Sequence, residues 1–312
     1  MIRACAPGKI ILFGEHAVVH NRPALAVPIR DLQACALITA RPTEPDGSIW
    51  INAPALSQRA PFDSLPQTDP LAQTCRLTLA ELQIENFPAF EITIDSTIPL
   101  ASGMGSGAAV SVAIIRAISC YLNNPLTDKA VNDITYEIEK IHHGTPSGVD
   151  NTVITFNQPV FFIRGKTMET FSIKQAFTLL IADSGIQSPT AAAVAFVRHG
   201  WQQDPERFEY LFDSIGAVAA SARTALSRGE INALGPLMDK NQALLAALGV
   251  SAPENEHLIQ AAKKAGAPGA KLSGGGLGGN VIVLAPEKLV EKLETALLRA
   301  GAAACYRTEI SS

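Results

Sequence analysis

Residues 99 to 115, "PLASGMGSGAAVSVAII", set Gly103, Gly105 and Gly107 at alternate positions in front of a long apolar run. Glycine reaches positive φ without steric cost and lets a ligand approach the backbone, so this stretch is a tight turn, an anion cradle, or both. Successive N–H groups from "GMGSGA" and from the start of a following helix would grip a polyphosphate. A second glycine run, "KLSGGGLGGN", holds Ser273, Gly274, Gly275 and Gly276 ahead of an apolar strand pattern. Between the two lies "SGVD", residues 147 to 150, where Asp150 either completes a helix cap begun by Ser147 or serves as a proton-accepting carboxylate.

Gly103, Gly105 and Ala108 formally satisfy GxGxxA, but the next 20 or so residues form a helix and "NNPLTD" rather than a second strand ending in an acid, which argues against a dinucleotide fold. Neither glycine run ends in the Lys-Ser/Thr pair of a P-loop. From loop chemistry alone, phosphate binding and a purely structural turn both stay open.

The elements that must position these residues sit in a chain of 312 residues, 47% hydrophobic and 17% charged, which describes an ordered globule long enough for two domains. A net charge of −4 gives no general attraction to nucleic acid or to an anionic membrane. No apolar stretch reaches the roughly 20 uninterrupted residues of a membrane span, and the N-terminal run lacks a signal-peptide pattern, so a cytoplasmic protein is expected. The five cysteines, Cys5, Cys35, Cys75, Cys120 and Cys305, form no paired metal motif and read as reduced, mostly packing, residues. No paired histidine signature for zinc occurs.

The opening run, "IRACAPGKIILFGEHAVV", reads as strand, turn and second apolar segment, punctuated by Gly8 and Gly14. Residues 41 to 70, rich in proline and small polar residues, suggest a short hairpin and loops. A helix is expected over 71–84, a strand over 90–98 that feeds the glycine loop, and a helix over 108–122 buried on most of its surface. The next helix, 128–144, aligns Val131, Ile134, Ile138 and Ile141 on one apolar face and leaves Glu139 off that row. Gly144 and Pro146 stop it, and Ser147 is read as the N-cap of a further helix. After a change of architecture near 163–175, a strand over 176–183 opens a second domain with helices over 189–202, 205–227 and 255–266. A site is expected between the halves.

In chain order, "APGKIILFGEHAVVH", "PLASGMGSGAA", "HHGTPSGVDNTV" and "KLSGGGLGGN" closely resemble the blocks of the small-molecule kinases that include galactokinase, homoserine kinase, mevalonate kinase and phosphomevalonate kinase. The first and third blocks are most similar to the mevalonate kinase members, and the resemblance covers nearly the whole chain. It implies an α+β, two-domain small-molecule kinase fold. An N-terminal domain, 1–170, would hold a left-handed βαβ unit and the ATP-phosphate loop, and a ferredoxin-like C-terminal domain, 171–312, would close the active-site cleft. The implied reaction is ATP-dependent phosphorylation of the 5-hydroxyl of mevalonate, with Mg2+ as cofactor, giving 5-phosphomevalonate for isoprenoid biosynthesis. A homodimer is compatible with this family, although no residue run supplies an interface.

By the same resemblance, Asp150 is the catalytic base and Lys9 the cation beside the reacting hydroxyl. Glu139 and Ser106 meet the metal. Pro99, Gly103, Met104, Gly105, Ser106, Gly107 and Ala108 hold ATP, while Glu15, His16 and Thr190 face the substrate. Ser273, Gly274, Gly275 and Gly276 form the cleft-closing loop, and His143 supports the shape of the "GTPSGVD" loop. Two positions depart from the family pattern: Gly107 stands where a second serine is common, removing a hydroxyl near the metal, and Gly275 stands where alanine is frequent. The alternatives are a kinase of the same superfamily acting on phosphomevalonate or another small hydroxylated metabolite, and a non-catalytic ligand sensor.

Overall fold

The computed structural model describes residues 1–100, 102–143, 146–187 and 190–311, without the side chains of His142, His143 and Thr190. The chain divides into two compact units, one of Met1–Gly8, Leu32–Leu100 and Met104–Asn157, the other of Lys9–Asp31, Ala101–Gly103 and Gln158–Ser312. Strands β1 (Ile2–Phe13) and β2 (Ala24–Ala40) contribute residues to both.

In the first unit, β3 (Ile49–Ala53), β4 (Gln58–Pro61) and β5 (Phe90–Ser96) extend the sheet in the order β4-β3-β5-β2. The β3/β4 pair is the hairpin expected within 41–70. β3 runs parallel to β5, and the crossover between them carries α1 (Pro70–Leu82), whose start is fixed by Asp69 accepting from the Ala72 N–H at 2.9 Å and by proline at the first position. Alternation along β5 buries Phe90, Ile92 and Ile94. Against them packs α2 (Ser106–Tyr121), which is apolar nearly all round and buries Ala113, Ile114, Ala117 and Ile118 in the same core. Helices α3 (Asp128–His143) and α4 (Val149–Phe156) pack beside α2.

Four expectations change here. Gly8 does not interrupt β1: a Cβ there would stand 3.1 Å from the Met104 carbonyl oxygen, so this glycine marks close approach of two backbones rather than a turn. The buried stripe of α3 takes in Thr135 and Glu139 and leaves Ile141 42% exposed, because α3 packs against α1, α2 and α4 rather than along one apolar row. Ser147 is not the N-cap of α4; Gly148 is, in the left-handed region, and Ser147 Oγ accepts from the Val149 N–H at 3.3 Å. Cys5 and Cys35 form a disulfide, whereas only Cys75, Cys120 and Cys305 are free thiols. Pairing of β1 with β2 sets their Cα atoms 4.1 Å apart.

In the second unit, β6 (Val160–Phe162) pairs with Ala24–Ala26 of β2, and β7 (Glu169–Thr170) pairs with β6. There follow β8 (Phe177–Asp183), the helices α5 (Thr190–Gln203), α6 (Pro205–Arg228), α7 (Leu234–Ala247) and α8 (Pro253–Ala265), then β9 (Ala270–Ser273), β10 (Asn280–Leu284), α9 (Val290–Arg299) and β11 (Ala304–Ile310). These strands form an antiparallel sheet in the order β11-β8-β10-β9. Fourth, first, third, second with helices after the first and third strands is the split βαβ arrangement of ferredoxin-like domains. Leu180, Val281 and Val283 of the sheet meet Leu258, Leu293 and Leu297 of α8 and α9 in its core. Helix α7 has no counterpart among the sequence expectations because Gly235 and Pro236 sit in its first turn; that glycine is required, since a Cβ would lie 2.6 Å from the Pro268 carbonyl oxygen. No helix among the described residues is long and apolar enough to cross a membrane.

A cross-link closing 30 residues restrains the unfolded chain by about 3 to 4 kcal/mol in the chain-entropy account. Cys35→Ser is therefore expected to lower the thermal midpoint, and peptide mapping without reductant to recover a Cys5–Cys35 linked fragment. Both thiols reacting with an alkylating agent in unreduced protein would contradict the linkage.

Candidate functional site

Arg116 ties three helices of the first unit together at one end. Its Nη2 donates to Asp128 Oδ1 at 2.7 Å and to the Thr155 carbonyl at 2.7 Å. Short connections make α2 and α3 antiparallel, and α3 and α4 antiparallel, with Asn151 Nδ2 donating to Asn132 Oδ1 at 2.8 Å to keep the second pair in register. At 1.5 Å per residue, α2 extends about 15 Å from Arg116 back to Ser106, and α3 about 16 Å from Asp128 to Glu139. Ser106 and Glu139 are therefore level. Helix α4 runs parallel to α2 and carries Asp150 in its first turn, about 8 Å along from the Arg116 tie.

Both α2 and α4 start from a glycine in the left-handed region, Gly105 at φ 76° and Gly148 at φ 87°, and neither has a side-chain cap. Most helices of globular proteins begin with Ser, Thr, Asp or Asn, whose oxygen occupies the first N–H groups. At α2 no side chain occupies those groups, while at α4 the Val149 N–H already donates to Ser147 Oγ; the positive end of each helix dipole favours an anion. Glu139 is 3% exposed, not a solvated helix acid, and Asp150 is half-buried. Of the remaining loop residues, Met104 is buried, Ala108 is buried in the first turn of α2, and Gly107 is exposed there. Gly103, at φ 72°, has nothing within 4 Å of where a Cβ would stand.

The second unit gathers another set. Lys9 lies in β1 at 5% exposure. Gly14, at φ 96°, allows the turn after β1, because a Cβ there would meet Ala24 Cα at 2.4 Å. Glu15 follows, fully enclosed, paired with Lys271 and accepting from Asn241 Nδ2 at 3.1 Å. His16 has φ 61° and ψ −47°, a backbone conformation rarely adopted by a residue with a side chain. Its Nε2 donates to the Gly275 carbonyl at 2.8 Å, so Nδ1 is left as an acceptor in the neutral ring. Burial pushes the His16 pKa down to about 4, against the opposing pull of the Gly275 carbonyl and with a smaller push from His20. Ser273 Oγ donates to the Ile11 carbonyl at 2.7 Å.

The loop joining β9 to β10 is held from outside. Leu277 N–H donates to the Val250 carbonyl at 2.7 Å, and Asn255 Nδ2 to the Gly278 carbonyl at 3.1 Å. Asn280 Nδ2 donates to the Ser102 carbonyl at 2.5 Å. Gly274 and Gly276 have positive φ and Gly275 does not, so a methyl group at 275, as in the family pattern, would meet no φ strain. Thr190 begins α5 and His143 ends α3, but their side chains lie outside what is described. Asn241 carries no signal in sequence, and Lys271 and Asn280 carry none beyond being the first and last residues of the block "KLSGGGLGGN". Among the described residues no three His, Cys, Asp or Glu side chains cluster as a metal-binding set.

The first unit thus carries two helix starts at left-handed glycines and the carboxylates of Glu139 and Asp150, and the second a split βαβ unit. Residues 71–158 match the N-terminal domain of the GHMP kinases and residues 222–303 match their C-terminal domain. The chain belongs to the GHMP kinases. The mevalonate kinase of Aeropyrum pernix is 34% identical over 294 residues, 93% of this chain and 90% of that protein. The mevalonate kinase of Thermococcus sibiricus is 32% identical over 318 residues, 96% of this chain and 93% of its own length. The structure of L. major mevalonate kinase in complex with R-mevalonate matches with a TM-score of 0.85 at 30% identity, covering 99% of this chain and 95% of that one.

Because the folded His16 pKa lies below the ordinary value of 6.5, its effect on stability is absent above that pH. As pH falls from 6.5 toward 4 the unfolded chain takes up the proton first, and the folded state loses about 3 kcal/mol through this residue. His16→Gln, whose amide can still donate to Gly275, is expected to flatten that part of a plot of denaturation midpoint against pH relative to the parent. Identical slopes in the two proteins would contradict the assignment. Gly276→Ala should destabilise more than Gly274→Ala: both have positive φ, but only at 276 would the Cβ collide with a carbonyl oxygen, Val250 O at 2.2 Å.

Proposed function

We infer that this chain transfers the γ-phosphoryl group of ATP to the 5-hydroxyl of mevalonate, giving 5-phosphomevalonate and ADP. The observation that carries this reading is the whole-length similarity to a kinase solved with R-mevalonate, spanning both matched domains. The matched segments, 71–158 and 222–303, fall on either side of residue 170, and this reading keeps 1–170 as the domain with the phosphate loop and 171–312 as the domain with the closing loop.

In this reading the N-terminus of α2 and the loop Pro99, Gly103, Met104, Gly105, Ser106, Gly107 and Ala108 hold the polyphosphate through backbone N–H groups. The turn bearing Glu15 and His16, with Thr190, borders the acceptor, and Ser273 to Gly276 close over it. A bond forms between the 5-oxygen and the γ-phosphorus as the β–γ bridging bond breaks, and the hydroxyl proton passes to Asp150. The half-buried position of Asp150 in the first turn of α4 supports that role, since the carboxylate keeps access to a bound acceptor. Lys9, buried in β1, offsets charge on the transferred group. The oxygen donors fit magnesium: Glu139 is a buried carboxylate level with Ser106, and Mg2+ commonly takes one or two carboxylates and completes its shell with waters and phosphates. When bound, the ion neutralises phosphate charge. The same reading carries a cytoplasmic location and is compatible with a homodimer.

The test is magnesium-dependent ADP release with mevalonate, phosphomevalonate, galactose, homoserine and no acceptor, with mass detection of the product. Turnover with mevalonate and a 5-monophosphate product is expected, and Asp150→Asn should lower kcat by about 10²- to 10⁴-fold while nucleotide binding is retained. Turnover with a different acceptor replaces the substrate, and silence across the panel returns the ligand-sensor alternative.

A further inference from the structure

Strand β9 and the loop after it place Lys271, Ser273 and Gly275 at alternate positions, the spacing that puts residues on one face of an extended chain. Each makes one tie to the end of β1 or the turn that follows it. Lys271 Nζ pairs with Glu15, Ser273 Oγ donates to the Ile11 carbonyl at 2.7 Å, and the Gly275 carbonyl accepts from His16 at 2.8 Å. The Lys271–Glu15 tie differs from the others in kind. Both side chains have 0% exposure, and Lys271 spends a second proton on the Leu272 carbonyl at 2.5 Å while its head stands 5.9 Å from the centre of the Phe13 ring. One oxygen of Glu15 faces Lys271, and the other accepts from Asn241, itself fully buried.

A buried ion pair is an expensive way to hold two strands together, because an apolar pair of similar volume commonly gives equal or greater stability. What the pair adds is direction: three donors and acceptors fix where Glu15, and with it the adjoining His16, must point. We propose that Lys271 is a positioning residue for phosphoryl transfer, acting through Glu15 to hold the Glu15–His16 turn against the closing glycine loop, and that Glu15 does not itself touch the acceptor. This rests on the kinase reading of the site. It assigns a role to a lysine outside the family blocks' proposed chemistry, and it moves Glu15 from ligand to support.

The experiment compares Lys271→Met, Glu15→Gln, the double variant Glu15→Leu/Lys271→Met and Lys271→Arg in the full chain, reading thermal midpoint together with kcat and KM for mevalonate and for ATP. Lys271→Met alone leaves Glu15 as a buried unpaired charge, so its midpoint falls. The double variant regains most of that midpoint but keeps an acceptor KM raised about tenfold or more, with the ATP KM within about twofold of the parent. Recovery of the acceptor KM along with the midpoint would mean that the pair only holds the fold, and overturns the proposal. A loss of kcat of about a thousandfold at unchanged KM in Glu15→Gln would also overturn it, by placing Glu15 on the reacting atoms. Should the methionine variants fail to fold, Lys271→Arg carries the decision: its larger planar head displaces Glu15, so a folded arginine variant with the parent's acceptor KM is equally fatal. If the parent itself releases no ADP with any acceptor, the kinase reading has failed, and that result is distinct from an active parent with a fully recovered double variant.

Discussion

The first N–H groups of a helix find no partner within the helix, and α2 leaves its own without a capping side chain by starting from Gly105 in the left-handed region. A site that grips phosphate in this way depends on the helix being unable to shift when the anion arrives. Helix α2 meets that demand through its composition: alanines and isoleucines cover almost its whole circumference, and the sheet under Ile92 and Ile94 buries them. Arg116, its single charged residue, is used to lock α3 and α4 at the far end. The apolar character that would make this helix insoluble alone is what makes its N-terminus a fixed point.

Burial of charge gives a second line of argument. Lys9, Glu15, Glu139 and Lys271 are all 5% exposed or less, and withdrawing an ionised group from water costs several kcal/mol unless partners or a ligand compensate. Surface pairs such as Lys129–Asp133 and Lys140–Glu137 involve no such cost and contribute little. The enclosed charges therefore mark positions where orientation matters more than stability. In the second unit the Glu15–Lys271 pair and the strained backbone of His16 occur at adjacent residues, so local strain and a costly ion pair are concentrated on one turn.

The periodic parts of the chain were open to reading from sequence. Strand β5 alternates, α2 is apolar throughout, and α6 and α8 have clear faces and begin with Asp-Pro or Ala-Pro, so period and punctuation agree. Helix α7 was hidden because a glycine needed for contact with Pro268 looks like a breaker. Glu139 seemed off the apolar row because periodicity shows which side chains are apolar, not how far a neighbouring helix end covers the edge of the stripe. The disulfide and the Lys271–Glu15 pair were out of reach because each joins residues far apart in the chain, 30 and 256 positions, and a single sequence states neither the β1–β2 register behind the first nor the packing behind the second. The glycine runs and Asp150 stood out by residue type but stayed open between structural and chemical readings, and the roles given to them, to Lys9 and to Glu139 came from resemblance.

Gly107 shows how a departure from a family pattern can be absorbed. Serine at this position would place a hydroxyl in the first turn of α2; glycine removes that oxygen and, so near the helix start, costs less than it would in the interior. The residue is exposed, so the space is on the solvent side rather than filled by the core. The backbone N–H groups at the Gly105 start have no side-chain cap, and Ser106 keeps one hydroxyl in that first turn. The same two facts, an uncapped start and a helix held rigid by its apolar surface, make the missing hydroxyl tolerable.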